Sequence, residues 1–210
     1  MTGRLITLEG GEGAGKSTLL AGLRGYFERC GLDVAYAREP GGTPLGEAVR
    51  ALVLDPVYRD LAAETELLLM FAARAQLVRS VLQPALAAGR WVLCDRFTDA
   101  SYAYQGGGRG IDAARIAELE RIATAGLQPD LTLLLDLPVA NGRARASQRG
   151  AADRIEVERD GFFERVRAVY HARARAEPTR FRVLDAALPA DAVLRAAVVA
   201  IDALRAEASA

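Results

Sequence analysis

The stretch Arg4–Ser17, RLITLEGGEGAGKS, decides how this chain is read. Arg4–Glu9 is a short apolar run bounded by charges, the pattern of a buried strand. Gly10–Ser17 matches G-x-x-x-x-G-K-[S/T], and a helical-period segment from Ser17 to Cys30 follows, closed by Gly31. A strand passing through glycines into a helix forms a phosphate cradle. The glycines let successive backbone N–H groups turn inward around a polyphosphate, and the helix N-terminus adds a favourable dipole. Gly10, Gly11, Glu12, Gly13, Ala14, Gly15, Lys16, Ser17 and Thr18 are therefore the expected contacts of a nucleoside triphosphate. Lys16 reaches the β- and γ-phosphates, and the Ser17 hydroxyl is a ligand for Mg²⁺.

Lys16 is the only lysine in 210 residues, and the other 26 basic residues are arginine. A flat, branched guanidinium does not fit the cradle, so this one site keeps the compact ammonium. A guanine-reading N-K-x-D motif and the signature of partition-type ATPases both need a second lysine, which narrows the class toward metabolic kinases. Lys and Arg number 27 against 27 Asp and Glu, a balance that argues against nucleic acid or an anionic membrane as partner. Hydrophobic residues at 51% are enough for a full core, and no apolar run reaches the ~18 residues that span a bilayer. With no signal-peptide cleavage pattern at its start, the chain is expected in the cytoplasm, with Cys30 and Cys94 as unbridged core residues.

Outward from the cradle, short apolar runs alternate with helical segments, as in an α/β fold with a parallel sheet. Further strands are predicted at Asp33–Arg38, Trp91–Cys94 and Leu131–Leu137, with a short fifth at Arg180–Leu184. Thr43 caps a helix that has Pro44 at its first position, and a long helix spans about Ala62–Ala88. Asp112 caps a helix to Ala125, Glu156–Arg175 is helical, and a last helix covers Ala190–Arg205 before a fraying tail. One domain over residues 1–210 is expected.

Six stretches, in this order and spacing, carry a resemblance: LEGGEGAGKST (Leu8–Thr18), REPGGT (Arg38–Thr43), FAARAQ (Phe71–Gln76), CDRF (Cys94–Phe97), SYAYQGGGRGID (Ser101–Asp112) and RGAADRIE (Arg149–Glu156). In these the chain resembles the bacterial thymidylate kinases along most of its length. The resemblance implies a three-layer P-loop kinase fold, with a five-stranded parallel sheet flanked by helices and a mobile arginine-rich lid at about residues 143–159. It also implies a homodimer formed through helices, and transfer of phosphate from Mg·ATP to dTMP.

The same resemblance assigns roles. Asp95 holds Mg²⁺ through water, and Arg96 grips the acceptor phosphate in a bidentate fork. Phe71 stacks on thymine and Arg74, three residues on along the same helix face, donates to its O4. Ser101 and Gln105, on the turn after Asp95, lie near the pyrimidine edge, and Tyr104 excludes a ribose 2′-hydroxyl by collision. Glu12 points to the sugar 3′-hydroxyl, and Leu54 lines the base pocket. Arg38, Glu39 and Arg50 are weaker candidates for the acceptor side; Glu39 could equally be fixing the turn before Pro40.

Residues Gly11–Ala14 contain no arginine, so the positive charge at the transferring phosphoryl is expected from the lid, at Arg149 and Arg154. Arg143, Arg145 and Arg159 read equally well as a solvated helix face. The acceptor is an ionised phosphate oxygen, so no general base is needed, and His171 is read as a structural residue without partners. Two rival functions stay open. One is a related kinase acting on another deoxynucleotide or a deoxynucleoside. The other is an ATP-dependent switch without an acceptor site, from which Arg96 would discriminate.

Overall fold

The computed structural model describes residues 3–148 and 153–209. Five strands, β1 (Leu5–Gly10), β2 (Val34–Arg38), β3 (Trp91–Asp95), β4 (Leu131–Asp136) and β5 (Phe181–Asp185), form one sheet in the order β2-β3-β1-β4-β5. Every neighbouring pair is parallel. The helices are α1 (Lys16–Arg29), α2 (Pro44–Leu54), α3 (Ala63–Leu77), α4 (Gln83–Ala87), α5 (Thr98–Ser101), α6 (Ala113–Thr124), α7 (Val139–Ala146), α8 (Asp160–Ala176) and α9 (Ala190–Ser209). This is the expected α/β architecture of a parallel sheet flanked by helices.

Strand periodicity sorts β1 between two apolar layers. Ile6 and Leu8 face Leu23, Phe27 and Ile201 on the α1/α9 side, whereas Leu5 joins Leu77, Leu82 and Phe97 on the opposite face. Each such side chain contributes roughly 1.5–3 kcal/mol through burial. The one polar residue in the middle of β1, Thr7, is satisfied across the sheet by the Thr132 hydroxyl at 2.9 Å. Register then brings the strand ends together, since Asp95 lies level with Leu8 on β1 and Arg38 on β2. Ligands of open parallel sheets sit at these carboxyl ends, where the connections diverge to either side.

Several elements depart from expectation for physical reasons. The long helix over 62–88 is continuous in course, but widens into a π-helical turn at Val78–Leu82 before α4. Pro84 has no N–H to donate, and the widened turn accommodates the missing bond. The segment after Asp95 is not a turn: Ser101 closes α5, and Tyr102–Gly108, including Tyr104 and Gln105, is π-helical. Its glycines are packing residues. A Cβ on Gly107 would lie 2.9 Å from the Arg165 carbonyl, and one on Gly108 would lie 2.4 Å from the Phe162 ring.

Residues 156–159 precede α8 and do not extend it, because the Asp153 carboxylate accepts from the N–H groups of Ile155 and Glu156, both at 2.9 Å, and holds a turn. At the C-terminus α9 runs on to Ser209, past the expected end at Arg205.

Candidate active site

Gly13 and Gly15 adopt left-handed backbone angles, φ 69° and 95°, which turn the chain between β1 and α1. The loop also touches α7 backbone to backbone. A Cβ on Gly13 would sit 2.0 Å from the Gly142 carbonyl oxygen, and one on Gly142 would sit 2.4 Å from that of Glu12. Lys16 donates from Nζ to the carbonyls of Gly10, at 3.0 Å, and Gly11, at 2.9 Å. Burial and the nearby Arg96 charge pull its ammonium down to about 8, against the opposing pull of Glu12, Asp95 and Glu9. The ammonium is therefore held in a place that favours an anion.

A cleft of about 580 Å³ opens over this loop. Residues 12–18, Asp95 and Arg96 line it, together with Arg38, Leu54, Met70, Tyr104 and Gln105. Asp95 ends β3 and lines the cleft together with Ser17, and its Oδ1 is buried with no hydrogen-bond partner among the described residues. A divalent cation and its waters fit that orphaned oxygen.

Arg96 follows at φ 70°, an uncommon angle for a side-chain-bearing residue, and one that clusters at functional sites. Its Nη2 donates to Glu12 Oε1 at 2.7 Å and the Tyr104 hydroxyl at 3.0 Å, while Nη1 donates to the Gly10 carbonyl at 3.0 Å. Tyr104 also donates to Glu12 Oε1 at 2.9 Å. The loop carboxylate is thus turned toward a guanidinium and a phenol, which removes the conflict of an acid inside an anion cradle. Behind them lies Glu9, fully buried, accepting from the Phe97 N–H and the Tyr170 hydroxyl, each at 2.7 Å. Burial, then the Asp99 charge, pushes the Glu9 carboxyl up to about 8.

Phe71, Arg74 and Ser101 are brought together, but behind the cleft wall and not on it. The Arg74 guanidinium stacks 4.5 Å from the Phe71 ring centre. It donates to Glu39 Oε2 at 2.7 Å, Ser101 Oγ at 2.9 Å and the Phe97 carbonyl at 3.0 Å. Arg74 and Glu39 are 0% and 3% exposed. Burial raises the Glu39 carboxyl even against the Arg74 charge. Glu39 is thus an ion-pair partner as well as a turn residue. Arg38 pairs with Glu47 at 2.7 Å and Arg50 donates to the Pro40 carbonyl at 3.1 Å, both on the cleft wall.

Of the lid residues, Arg149 lies outside the described residues. Arg154 is buried, bonded to Glu66 and to the Val53 carbonyl at 2.7 Å, so a place at the phosphoryl requires those bonds to open. Arg145 lines the cleft, while Arg143 ties the Glu158 carbonyl at 2.6 Å and Asp160 at 2.9 Å. His171 is not partnerless: its Nε2 lies 3.0 Å from Asp136.

Similarity to known proteins decides the family. The family model of thymidylate kinase matches residues 8–197. The chain belongs to the thymidylate kinase family. It is 59% identical over 199 residues to the thymidylate kinase of Pseudomonas putida (strain W619), covering 95% of this chain and 94% of that one. Against the thymidylate kinase of Alkalilimnicola ehrlichii it is 58% identical over 195 residues, covering 92% and 90%. The crystal structure of thymidylate kinase from Ehrlichia chaffeensis superposes with a TM-score of 0.78 at 30% identity, covering 96% of this chain and 99% of that one.

Within this family frame, sequence reading missed Glu9, Val53, Met70, Glu66, Arg109, Ile155 and Tyr170. Met70 and Ile155 gave no local sign beyond apolarity. Glu66 did, as a carboxylate directly before the apolar run Leu67–Phe71.

Proposed function

We propose that this chain, as a single kinase domain, moves the γ-phosphoryl of Mg·ATP to dTMP, giving dTDP and ADP, with the residues described above in defined roles. The observation that carries this reading is the Arg96 guanidinium, set over the phosphate loop by four polar groups and facing the cleft that Lys16 shares. Donor phosphates wrap the loop amides of residues 11–18 and the Lys16 ammonium. The acceptor phosphate meets Arg96, end to end with the donor. Mg²⁺ held by Ser17 and, through water, Asp95 would neutralise charge on the donor phosphates. The attacking phosphate oxygen is already ionised, so the protein supplies positioning and charge stabilisation.

Tyr104, anchored to Glu12 and Arg96, closes the space where a 2′-hydroxyl would lie, while Leu54, Met70 and Gln105 border the base. Arg149 and Arg154 remain the lid candidates for the transition-state charge, Arg154 after release from Glu66. Exposed apolar residues Leu52, Leu68 and Ile122, on the neighbouring helices α2, α3 and α6, support assembly as a homodimer. Cys30 and Cys94 are unbridged, in keeping with a reducing cytoplasm.

A coupled ADP-release assay across nucleoside monophosphates tests the reading, with dTMP expected to be the best acceptor. Arg96→Ala is expected to lower turnover by about 10³-fold while ATP still binds. Unchanged turnover would remove the acceptor assignment.

A further inference from the structure

We propose that Glu66 is a positioning residue that sets base selectivity, by fixing which end of the Gln105 side-chain amide faces the cleft. The inference deepens the reading above and rests on it. Glu66 lies on α3, fully buried, one helical turn before the cleft-lining Met70. A carboxylate in such a place is tolerated only when its charge is met. Oε2 is met by two guanidiniums, Arg154 and Arg109, the latter at 3.2 Å. Oε1 accepts from Gln105 Nε2 at 2.7 Å.

A carboxylate held between two arginines offers acceptors alone. It therefore compels Gln105 to turn its NH₂ inward, and the amide oxygen is left pointing the other way. That oxygen is buried and has no partner among the described residues, in a side chain that is 1% exposed and lines the cleft. An orphaned buried acceptor beside a ligand cleft is built for an N–H donor on the ligand.

Among pyrimidines, thymine and uracil carry a hydrogen on N3, whereas cytosine has a lone pair there. A cytosine would set acceptor against acceptor, and the site cannot answer by flipping the amide, because Glu66 would then meet an oxygen. Selection of this kind, by a polar group left unpaired with the wrong ligand, is stronger than selection by shape. The same carboxylate holds Arg154, so the segment after the lid centre and the base-reading amide share one anchor.

The test compares kcat/KM for dTMP and dCMP at saturating ATP in the wild type and in Glu66→Gln. Wild-type turnover of dTMP belongs to the proposed function, and its absence would overturn that reading by itself. With the wild type active, Glu66→Gln is expected to lower dTMP kcat/KM by ~10-fold or more, mainly through KM, and to shrink the dTMP:dCMP ratio at least as far. In a Gln105→Leu background the second substitution should leave the ratio where it is. A ratio unmoved by Glu66→Gln alone overturns the proposal. Should that variant not fold, the wild type decides: dTMP methylated at N3 must bind at least ~10-fold more weakly than dTMP, and equal binding overturns the proposal.

Discussion

The two ends of the cleft are made differently. In the proposed function the donor end is met by main chain: amides of residues 12–18 curved by Gly13 and Gly15, with Lys16 as the one cationic side chain of that loop. At the acceptor end nearly everything is side chain on side chain. Glu12, Arg96 and Tyr104 hold one another, Glu39 and Ser101 hold Arg74, and Glu66 holds Gln105, Arg109 and Arg154. A main-chain cradle recognises what all triphosphates share. In the proposed function a mesh of paired side chains singles out one acceptor, because moving any member unpairs another.

Substitutions should separate the two ends. The largest effect is expected from Lys16→Ala, a loss of ~10³-fold or more in kcat/KM with the melting temperature nearly kept. Steady-state kinetics beside a thermal melt would show it, and a collapse of the melt would mean the lysine is structural. Arg74→Met should act on the other currency, stability. It leaves the Glu39 carboxyl buried without its cation, at a cost of about 3–5 kcal/mol in chemical denaturation. A change under about 1 kcal/mol would show that the pair is not what holds this end together.

Gly142→Ala probes the donor end from outside it. The added methyl meets the Glu12 carbonyl at 2.4 Å, so the loop must shift; ATP affinity should drop ~10-fold and dTMP binding by less, since Glu12 alone of the loop belongs to the acceptor mesh. Titration calorimetry with each nucleotide would separate the two, and an equal loss for both would erase the distinction between the ends. The smallest effect is in pH. The Lys16 ammonium sits at about 8 without ligand, and phosphate favours its charged form, so binding takes up a proton above that pH. ATP affinity should hold below pH 8 and fall by at most tenfold per unit above it, and a flat profile from 7 to 9.5 would contradict the assignment.

Legibility followed the same division. The cradle is contiguous in sequence, and its strand, glycines, lysine and helix start could be read together from Arg4–Ser17. The parallel sheet was also legible, since β1, β3 and β4 are mostly apolar and buried along nearly their whole length. The acceptor end was legible only through motif resemblance, which identified Arg74, Ser101 and Gln105 but not what holds them. Glu39, Glu66 and Arg109 are distant in sequence from their partners, and pairings of that kind leave no periodic signal.

Gly106–Gly108 misled for a related reason. Glycine in a sequence suggests a break, but here its missing side chain is filled by α8, a fact that belongs to the tertiary structure. Asp153 did the reverse, interrupting a segment whose composition reads as helix.

The contact between Gly13 and Gly142 has one more consequence. Gly13 excludes even a methyl group because of the Gly142 main chain, and Gly142 because of the main chain of Glu12 just before Gly13, so neither glycine has atoms to surrender when the other grows. Ordinary compensation, in which one side chain shrinks as a neighbour expands, is closed to them. A library randomised at both positions together should recover no more active combinations than two libraries randomised singly, whereas pairs such as Leu23 and Phe27 in the core can trade volume.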